Sequence, residues 1–358
     1  MKFQAFLRFT LLALACVFST AARAQDCKPQ QLIHSIPMTP IRNGTSWLVP
    51  VTVNGIPLRL MLDTGGFTTQ LFKATVDRLG LQMQQGSLIT IDAEGHASGS
   101  YVVADQFTVG GLSEGNFKFQ IFPNGYAGVG AEPFDGVLSS DILLKYDVDI
   151  DFGKSTLNLF SSDHCPGDVL YWSPTSVVRI PFELPDGAHI ALPVKLDGQD
   201  LTGVIDTGAT FSVMRLPLAQ RQFGIEGPAP GDMIIPAINN STGLSGFLHR
   251  FSSLSFGQAV FNDLHVAIVG VSNVPAEAAL SNIIRSQFSQ RQDLLVVGME
   301  VLKNLHLYVA TAEKALYLSA ASPSQIISLP DSQPLPALPE SQPLPAMPDS
   351  KMLPQSVP

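Results

Sequence analysis

The chain has 358 residues, 45% hydrophobic and 14% charged, enough apolar material for a sizeable core and about two domain-sized units. Its 21 Lys and Arg against 30 Asp and Glu give a formal net charge of −9, which argues against a nucleic-acid partner, because that binding rests on a basic face. The charged fraction is too low for a mostly disordered protein, and a single short apolar run at the N-terminus excludes a polytopic membrane protein.

Residues 1–24 read as a secretory signal peptide. Lys2 and Arg8 make a basic start, Thr10 to Thr20 an apolar run too short for a full span, and Ala22-Arg23-Ala24 a small-x-small cleavage site. The expectation is a periplasmic or secreted protein with no membrane span after signal removal. Beyond this segment the cysteines are Cys27 and Cys165. An even pair in an oxidising compartment favours a disulfide, with two buried free thiols as the alternative.

The remainder is one β-rich unit written twice, then a tail. Trp47 to Gly65 (WLVPVTVNGIPLRLMLDTG) lies without a gap on Ile190 to Gly208 (IALPVKLDGQDLTGVIDTG). Pro50 falls on Pro193, Gly55 on Gly198, and Asp63-Thr64-Gly65 on Asp206-Thr207-Gly208. Both copies alternate into a turn, Asn54-Gly55 or Asp197-Gly198, which is a hairpin signal. Short helices are expected at 71–79 and 216–223, stopped by Gly80 and Gly224. Strand-like runs occupy 87–91, 101–109 and 117–122, and Asp141 to Leu159 lies ungapped on Glu300 to Leu318, each a short helical turn leading into a hairpin. The second half adds a helical pattern at 277–290. From about Ser322, DSQPLPALP recurs as ESQPLPAMP, and proline at this density predicts an extended, disordered spacer. The boundaries read as signal peptide 1–24, first lobe 25–175, second lobe 176–321 and Pro-rich tail 322–358.

One Asp-Thr-Gly is an ordinary turn. Two of them, at equivalent positions of a duplicated unit and each ending an apolar strand, point to a paired site. If the halves pack about a pseudo-twofold axis through these turns, Asp63 and Asp206 face each other. Two carboxylates about 3 Å apart repel by roughly 5 kcal/mol at an effective dielectric near 20. Such a pair keeps one proton near neutrality and titrates as a unit. One carboxylate can then take a proton from water while the other acid donates to a carbonyl oxygen, hydrolysing an amide with neither metal nor cofactor.

On these motifs the chain resembles the aspartic proteases of the pepsin and retropepsin superfamily, over roughly residues 45–160 and 188–319, with Val296-Val297-Gly298 as the downstream apolar-apolar-Gly. The resemblance implies a mostly β, bilobal acid-protease fold: two pseudo-twofold-related, barrel-like lobes with short helices, a bacterial retropepsin-type unit duplicated in one chain. It implies an aspartic endopeptidase, monomeric, acting on a polypeptide substrate bound extended under a hairpin flap. Carried onto this sequence, it makes Asp63 and Asp206 the catalytic dyad. Gly65 and Gly208 supply backbone N–H groups to the carboxylates, Thr64 and Thr207 cross-link the loops, and Thr210 stands where a hydroxyl bonds the outer oxygen of Asp206. Two positions depart from the pattern. Phe67 occupies the counterpart of Thr210, with Thr68 as the candidate substitute, and Ser139 replaces the glycine equivalent to Gly298. The flap falls around 89–103, with Tyr101 too far along the strand to match the family's flap tyrosine.

Competing chemistry is weaker. Gly111-Leu112-Ser113-Glu114-Gly115 matches a serine-hydrolase elbow, but Phe117, Phe119 and Ile121 alternate like a strand where that motif needs a helix, so a hairpin turn is expected. The seven histidines form no spaced ligand set, and no metal site is expected. The rival of a different class is a pepsin-fold protein that binds peptides without cutting them. Intact aspartates and glycines in both copies favour the enzyme.

Overall fold

The computed structural model describes residues 27–91, 97–122, 134–235, 246–270 and 294–321, all within one compact unit. The signal peptide, the tip of the expected flap, the helical pattern at 277–290 and the Pro-rich tail lie outside the described residues.

Apolar alternation builds each half as a sheet that closes on itself. In the first, Ser46–Val53 and Ile56–Leu62 pair across Asn54-Gly55, whose φ values of 49° and 77° are the left-handed geometry a two-residue hairpin requires. The ring continues through Gly136–Leu138, Gln70–Phe72, Leu112–Phe122 and Ala97–Val109, and the Val51–Val109 pairing returns it to the first strand. The second half repeats the path: Ala191–Leu196, Gln199–Ile205, Leu294–Val297, Ser212–Arg215, Ala259–Val269 and Gly246–Phe256, closed by Leu196 against Leu254. Leu60, Leu62 and Phe119 fill the first ring, and Ile205, Phe256 and Val297 the second, all fully buried.

A third sheet is shared between the halves. Leu32–Pro37, Thr156–Phe160 and Asp147–Asp151 come from the first, and Leu305–Ala310, Ala315–Ala320 and Val178–Pro181 from the second. At its centre Asp149 lies opposite Tyr308 in an antiparallel pair. These are equivalent positions of the two copies, so the pseudo-twofold axis passes between them. Val148, Ile150, Leu307 and Val309 pack into the common core. Buried acids take the remaining positions, each supplied with donors, as burial of charge requires. Asp149 accepts from His306 Nε2 at 2.5 Å, Tyr171 Oη at 2.7 Å and Asn158 Nδ2 at 2.8 Å. Asp147 bonds His164 Nε2 at 2.6 Å and accepts from the Thr311 hydroxyl at 2.7 Å.

Among the described residues the α-helices are Lys73–Leu79 and Leu216–Phe223, with two single turns, Ser140–Leu143 and Met299–Leu302. Gly80 and Gly224 end the longer two at φ 66° and 68°, where a side chain is strained. The first helix begins later than the sequence suggests, because Gln70–Phe72 are drawn into the barrel between two other strands. At the Gly-x-Ser-x-Gly segment, Gly110 and Gly111 make a hairpin turn and Ser113 sits on a strand opposite Thr108, so no nucleophile elbow exists there.

Cys27 and Cys165 form a disulfide across 138 residues, next to the His164–Asp147 pair. Cys165→Ser is expected to lower stability by about 2–5 kcal/mol, seen by calorimetry as a lower melting temperature that reductant no longer changes. A wild-type melting temperature indifferent to reductant would show that the bridge constrains nothing.

Candidate active site

Each Asp-Thr-Gly follows the end of an inner barrel strand. Ile56–Leu62 runs parallel to Gly136–Leu138, and the Asp63 N–H donates to Leu138 O at 2.9 Å. Gln199–Ile205 runs parallel to Leu294–Val297, and the Asp206 N–H donates to Val297 O at 3.0 Å. Both aspartates are therefore pinned by the last bond of a ladder, and both turns emerge where the lobes meet.

The turns are locked to each other by their threonines. Thr64 Oγ1 donates to Ile205 O at 2.9 Å and accepts from the Thr207 N–H at 3.1 Å. Thr207 Oγ1 donates to Leu62 O at 2.9 Å and accepts from the Thr64 N–H at 3.0 Å. Both side chains are buried, so every one of these groups lacks water as an alternative partner. The glycines then face the opposite carboxyl. A Cβ on Gly65 would stand 2.3 Å from Asp206 Cγ, and one on Gly208 2.5 Å from Asp63 Oδ1. Only glycine fits at either place. Gly65 N–H donates to Asp63 Oδ1 at 3.1 Å, and Gly208 N–H to Asp206 Oδ1 at 2.8 Å, with Ala209 N–H at 3.2 Å.

The two carboxyl groups converge on the same place: a Cβ on Gly208 would lie 2.5 Å from Asp63 Oδ1 and 3.1 Å from Asp206 Oδ1, close enough for each group to bear on the other's ionisation. Burial first, then the Asp206 charge and the bond to it, hold Asp63 well above the usual carboxylate range. Burial also raises Asp206, against the pull of the Gly208 and Ala209 N–H groups.

Several supporting groups were not singled out by sequence. Thr69 Oγ1 accepts from the Ser139 N–H at 3.1 Å and donates to Asp141 at 2.7 Å, and Ser212 Oγ accepts from the Gly298 N–H at 3.2 Å. Their signal is a hydroxyl residue at the same distance after each Asp, in DTGGFTT and DTGATFS. Ser140 Oγ donates to Thr64 O at 3.1 Å. His189 and Asp186 carried no signal at all: His189 is buried at the start of the second repeat, where the first has Ser46, and its Nε2 lies 2.8 Å from Gly65 O.

The departures in the first lobe have a steric logic. Ser139 fits because its neighbour is Gly66, whose Cβ would lie 2.3 Å from Ser139 Oγ. In the second lobe the loop residue is Ala209 and the strand end is Gly298, where a Cβ would lie 2.3 Å from the Phe211 carbonyl oxygen. Thr68 Oγ1 is buried without a hydrogen-bond partner and does not stand in for a hydroxyl at Phe67. Phe67 is 42% exposed, its ring centroid 6.2 Å from that of His189. Thr210 joins the site through its carbonyl, which accepts from the Glu300 N–H at 2.9 Å. In the expected flap, Gln84–Ile91 pairs with Ala97–Val109, and Tyr101 Oη donates to Gln84 at 2.8 Å along the hairpin. Among the described residues, no group of three His, Cys, Asp or Glu side chains is arranged to hold a metal ion.

The sequence profile described as aspartyl protease matches residues 49–142 and 192–310, one segment in each lobe and each spanning an Asp-Thr-Gly. The chain belongs to the aspartyl protease family. Among solved structures, the aspartic proteinase from Irpex lacteus matches over 82% of this chain and 98% of that chain, at 14% identity and a TM-score of 0.43. No curated protein matches.

Two stability predictions follow for this aspartyl protease from its paired loops. Thr64→Val removes a donor and an acceptor and leaves Thr207 N–H and Ile205 O buried without partners, a loss of about 1–3 kcal/mol in urea denaturation; an unchanged midpoint would show that the threonine lock is incidental. Both aspartates have raised folded-state pKa values, so their contribution to stability is fully present below the unfolded-state value and lost as pH rises through the folded one. Asp63→Asn is accordingly expected to melt about 2–4 °C above wild type at neutral pH, the difference fading below about pH 4. A variant that melts below wild type at neutral pH would contradict the electrostatic strain.

Proposed function

We propose that the protein is an aspartic endopeptidase that hydrolyses peptide bonds of exported or periplasmic polypeptides. The observation that carries this reading is the reciprocal approach of Gly65 and Gly208 to the opposing carboxyl groups, which crowds Asp63 and Asp206 together in a buried place where the pair keeps one proton near neutrality. A water held between them gives its proton to the ionised carboxylate as it attacks the scissile carbonyl, and the protonated acid donates to the carbonyl oxygen. The tetrahedral gem-diol then collapses: one of its hydroxyls returns a proton to the now ionised carboxylate as the C=O re-forms and the C–N bond breaks, and the amine leaves with the proton that the other carboxyl took from water, so the dyad ends with one proton. Aiming both groups at one point from rigid loops removes the need to reorganise solvent during the step.

The half of the flap hairpin that precedes its tip carries Leu88 and Ile89, 43% and 41% exposed, which suits packing on an apolar substrate side chain. Both aspartates reside in one chain, so a monomer suffices. The secretory reading of residues 1–24 and the Cys27–Cys165 bridge support an oxidising location, periplasmic or secreted. No helix of the described residues is long and apolar enough to cross a membrane.

The test is digestion of an unfolded protein such as casein across a pH series, with and without a pepstatin-type inhibitor. Cleavage in mildly acidic buffer is expected, inhibited by pepstatin and reduced at least about 10²–10⁴-fold in Asp63→Asn and in Asp206→Asn, both still folded by circular dichroism. Wild-type rates in both variants would remove the dyad from the chemistry, and saturable peptide binding without turnover at any pH would favour a binding module.

A further inference from the structure

The hydrogen bonds around His189 fix its charge. Its side chain is 2% exposed and that of Asp186 5%. Nδ1 bonds Asp186 Oδ2, and Nε2 lies 2.8 Å from Gly65 O. A carboxylate oxygen and a backbone carbonyl accept and do not donate, so both ring nitrogens must carry hydrogen. A neutral imidazole has one N–H and would leave the other contact as lone pair against lone pair. Asp186 is itself held ionised, because the N–H groups of Ala188 and His189 donate to its Oδ1 at 3.0 and 2.9 Å, leaving Oδ2 for the ring. The result is a buried imidazolium–carboxylate pair whose hydrogen-bonding groups find partners, the condition under which such a pair is tolerated.

The pair belongs to the second lobe, yet its second ring nitrogen reaches the Asp-Thr-Gly loop of the first. Gly65, the residue it holds, is the one pressed against the Asp206 carboxyl. The imidazolium therefore stands on the far side of a single glycine from Asp206. Ser46, uncharged, occupies the equivalent place in the first copy, so the dyad has a cation on one side of its axis. The charged groups around the ring are Asp186 on its own turn and, across Gly65, Asp206 with its partner Asp63; Phe67 covers the ring without charge.

We propose that His189 is a positioning residue of the dyad, a fixed imidazolium that anchors the Gly65 carbonyl and keeps the shared proton on Asp63 and the negative charge on Asp206. The electrostatics agree in direction: burial raises both carboxyls, and the Gly208 and Ala209 N–H groups, Asp63 and lastly the His189 charge oppose that rise at Asp206, whereas Asp63 stays well above the carboxylate range. The assignment rests on the acid–base reading above and gives it direction: Asp206 takes the proton from water, and Asp63 donates to the carbonyl oxygen.

The test is NMR of the full chain labelled with nitrogen-15 histidine and carbon-13 aspartate, in wild type, His189→Gln and Asp186→Asn. Glutamine can still donate to Gly65 O but carries no charge. Both ring nitrogens of His189 are expected to be protonated at pH 7, and the carboxyl titration of the dyad is expected to move up by about one pH unit in folded His189→Gln. Should that variant fail to fold, Asp186→Asn reads the same charge: the ring is expected to lose its second hydrogen at pH 7, with the same upward move of the dyad. A wild-type ring bearing one hydrogen at pH 7, or a dyad titration unmoved in the folded variants, overturns the proposal, since a merely structural histidine predicts no shift. Neither readout needs turnover, so a protein that digests nothing contradicts the proteolysis reading and leaves the charge of His189 separately decided.

Discussion

The two lobes approach each other until the backbone of one Asp-Thr-Gly loop touches the carboxyl of the other, and the threonine hydroxyls set that distance. Each hydroxyl is both donor and acceptor toward the opposite lobe, so the loops cannot separate without stranding four buried backbone groups. At this spacing there is no room for a side chain at 65 or 208, and none for two negative charges. The proton held between the aspartates is thus a consequence of packing: the closed lock forces the carboxyls into the same space, and one of them must stay neutral.

Such a site needs a stiff support, because the burial that raises the dyad also opposes the ionised form at neutral pH. The support is shared between the halves. The central pairing of Asp147–Asp151 with Leu305–Ala310 places the pseudo-twofold axis in a sheet that neither lobe completes alone. Within the symmetry the copies diverge where sterics or charge permit one partner to change if the other does. Gly66 with Ser139 answers Ala209 with Gly298, and neutral Ser46 answers His189 with its Asp186 counter-ion. The second exchange breaks the electrostatic equivalence of the two aspartates.

Much of this was legible in the sequence because it is local. Period-two alternation into Asn54-Gly55 and Asp197-Gly198 gives hairpins whatever surrounds them, and the duplication singles out Asp63 and Asp206 from other Asp-Gly turns. The short helices are marked by Gly80 and Gly224, yet the first starts later than its local pattern suggests: Gln70–Phe72 pair with strands far along the chain, and tertiary pairing outweighs local pattern. The same limit hid the shared sheet, whose partners join Leu32–Pro37 to Thr156–Phe160. Buried hydrogen-bond partners were least visible. Thr69 and Ser212 look like ordinary loop hydroxyls, and His189 became part of the site only when the lobes closed and brought Gly65 O to its ring.

The central claim, that packing compels Asp63 and Asp206 to hold one proton jointly, is tested most directly by difference potentiometric titration of the wild type against the doubly substituted Asp63→Asn, Asp206→Asn chain. At about pH 6, where isolated carboxyls are ionised, the account predicts that the wild type retains one more bound proton per molecule than the double variant. Equal proton counts at that pH would mean that both carboxylates are ionised side by side, and the account would be wrong.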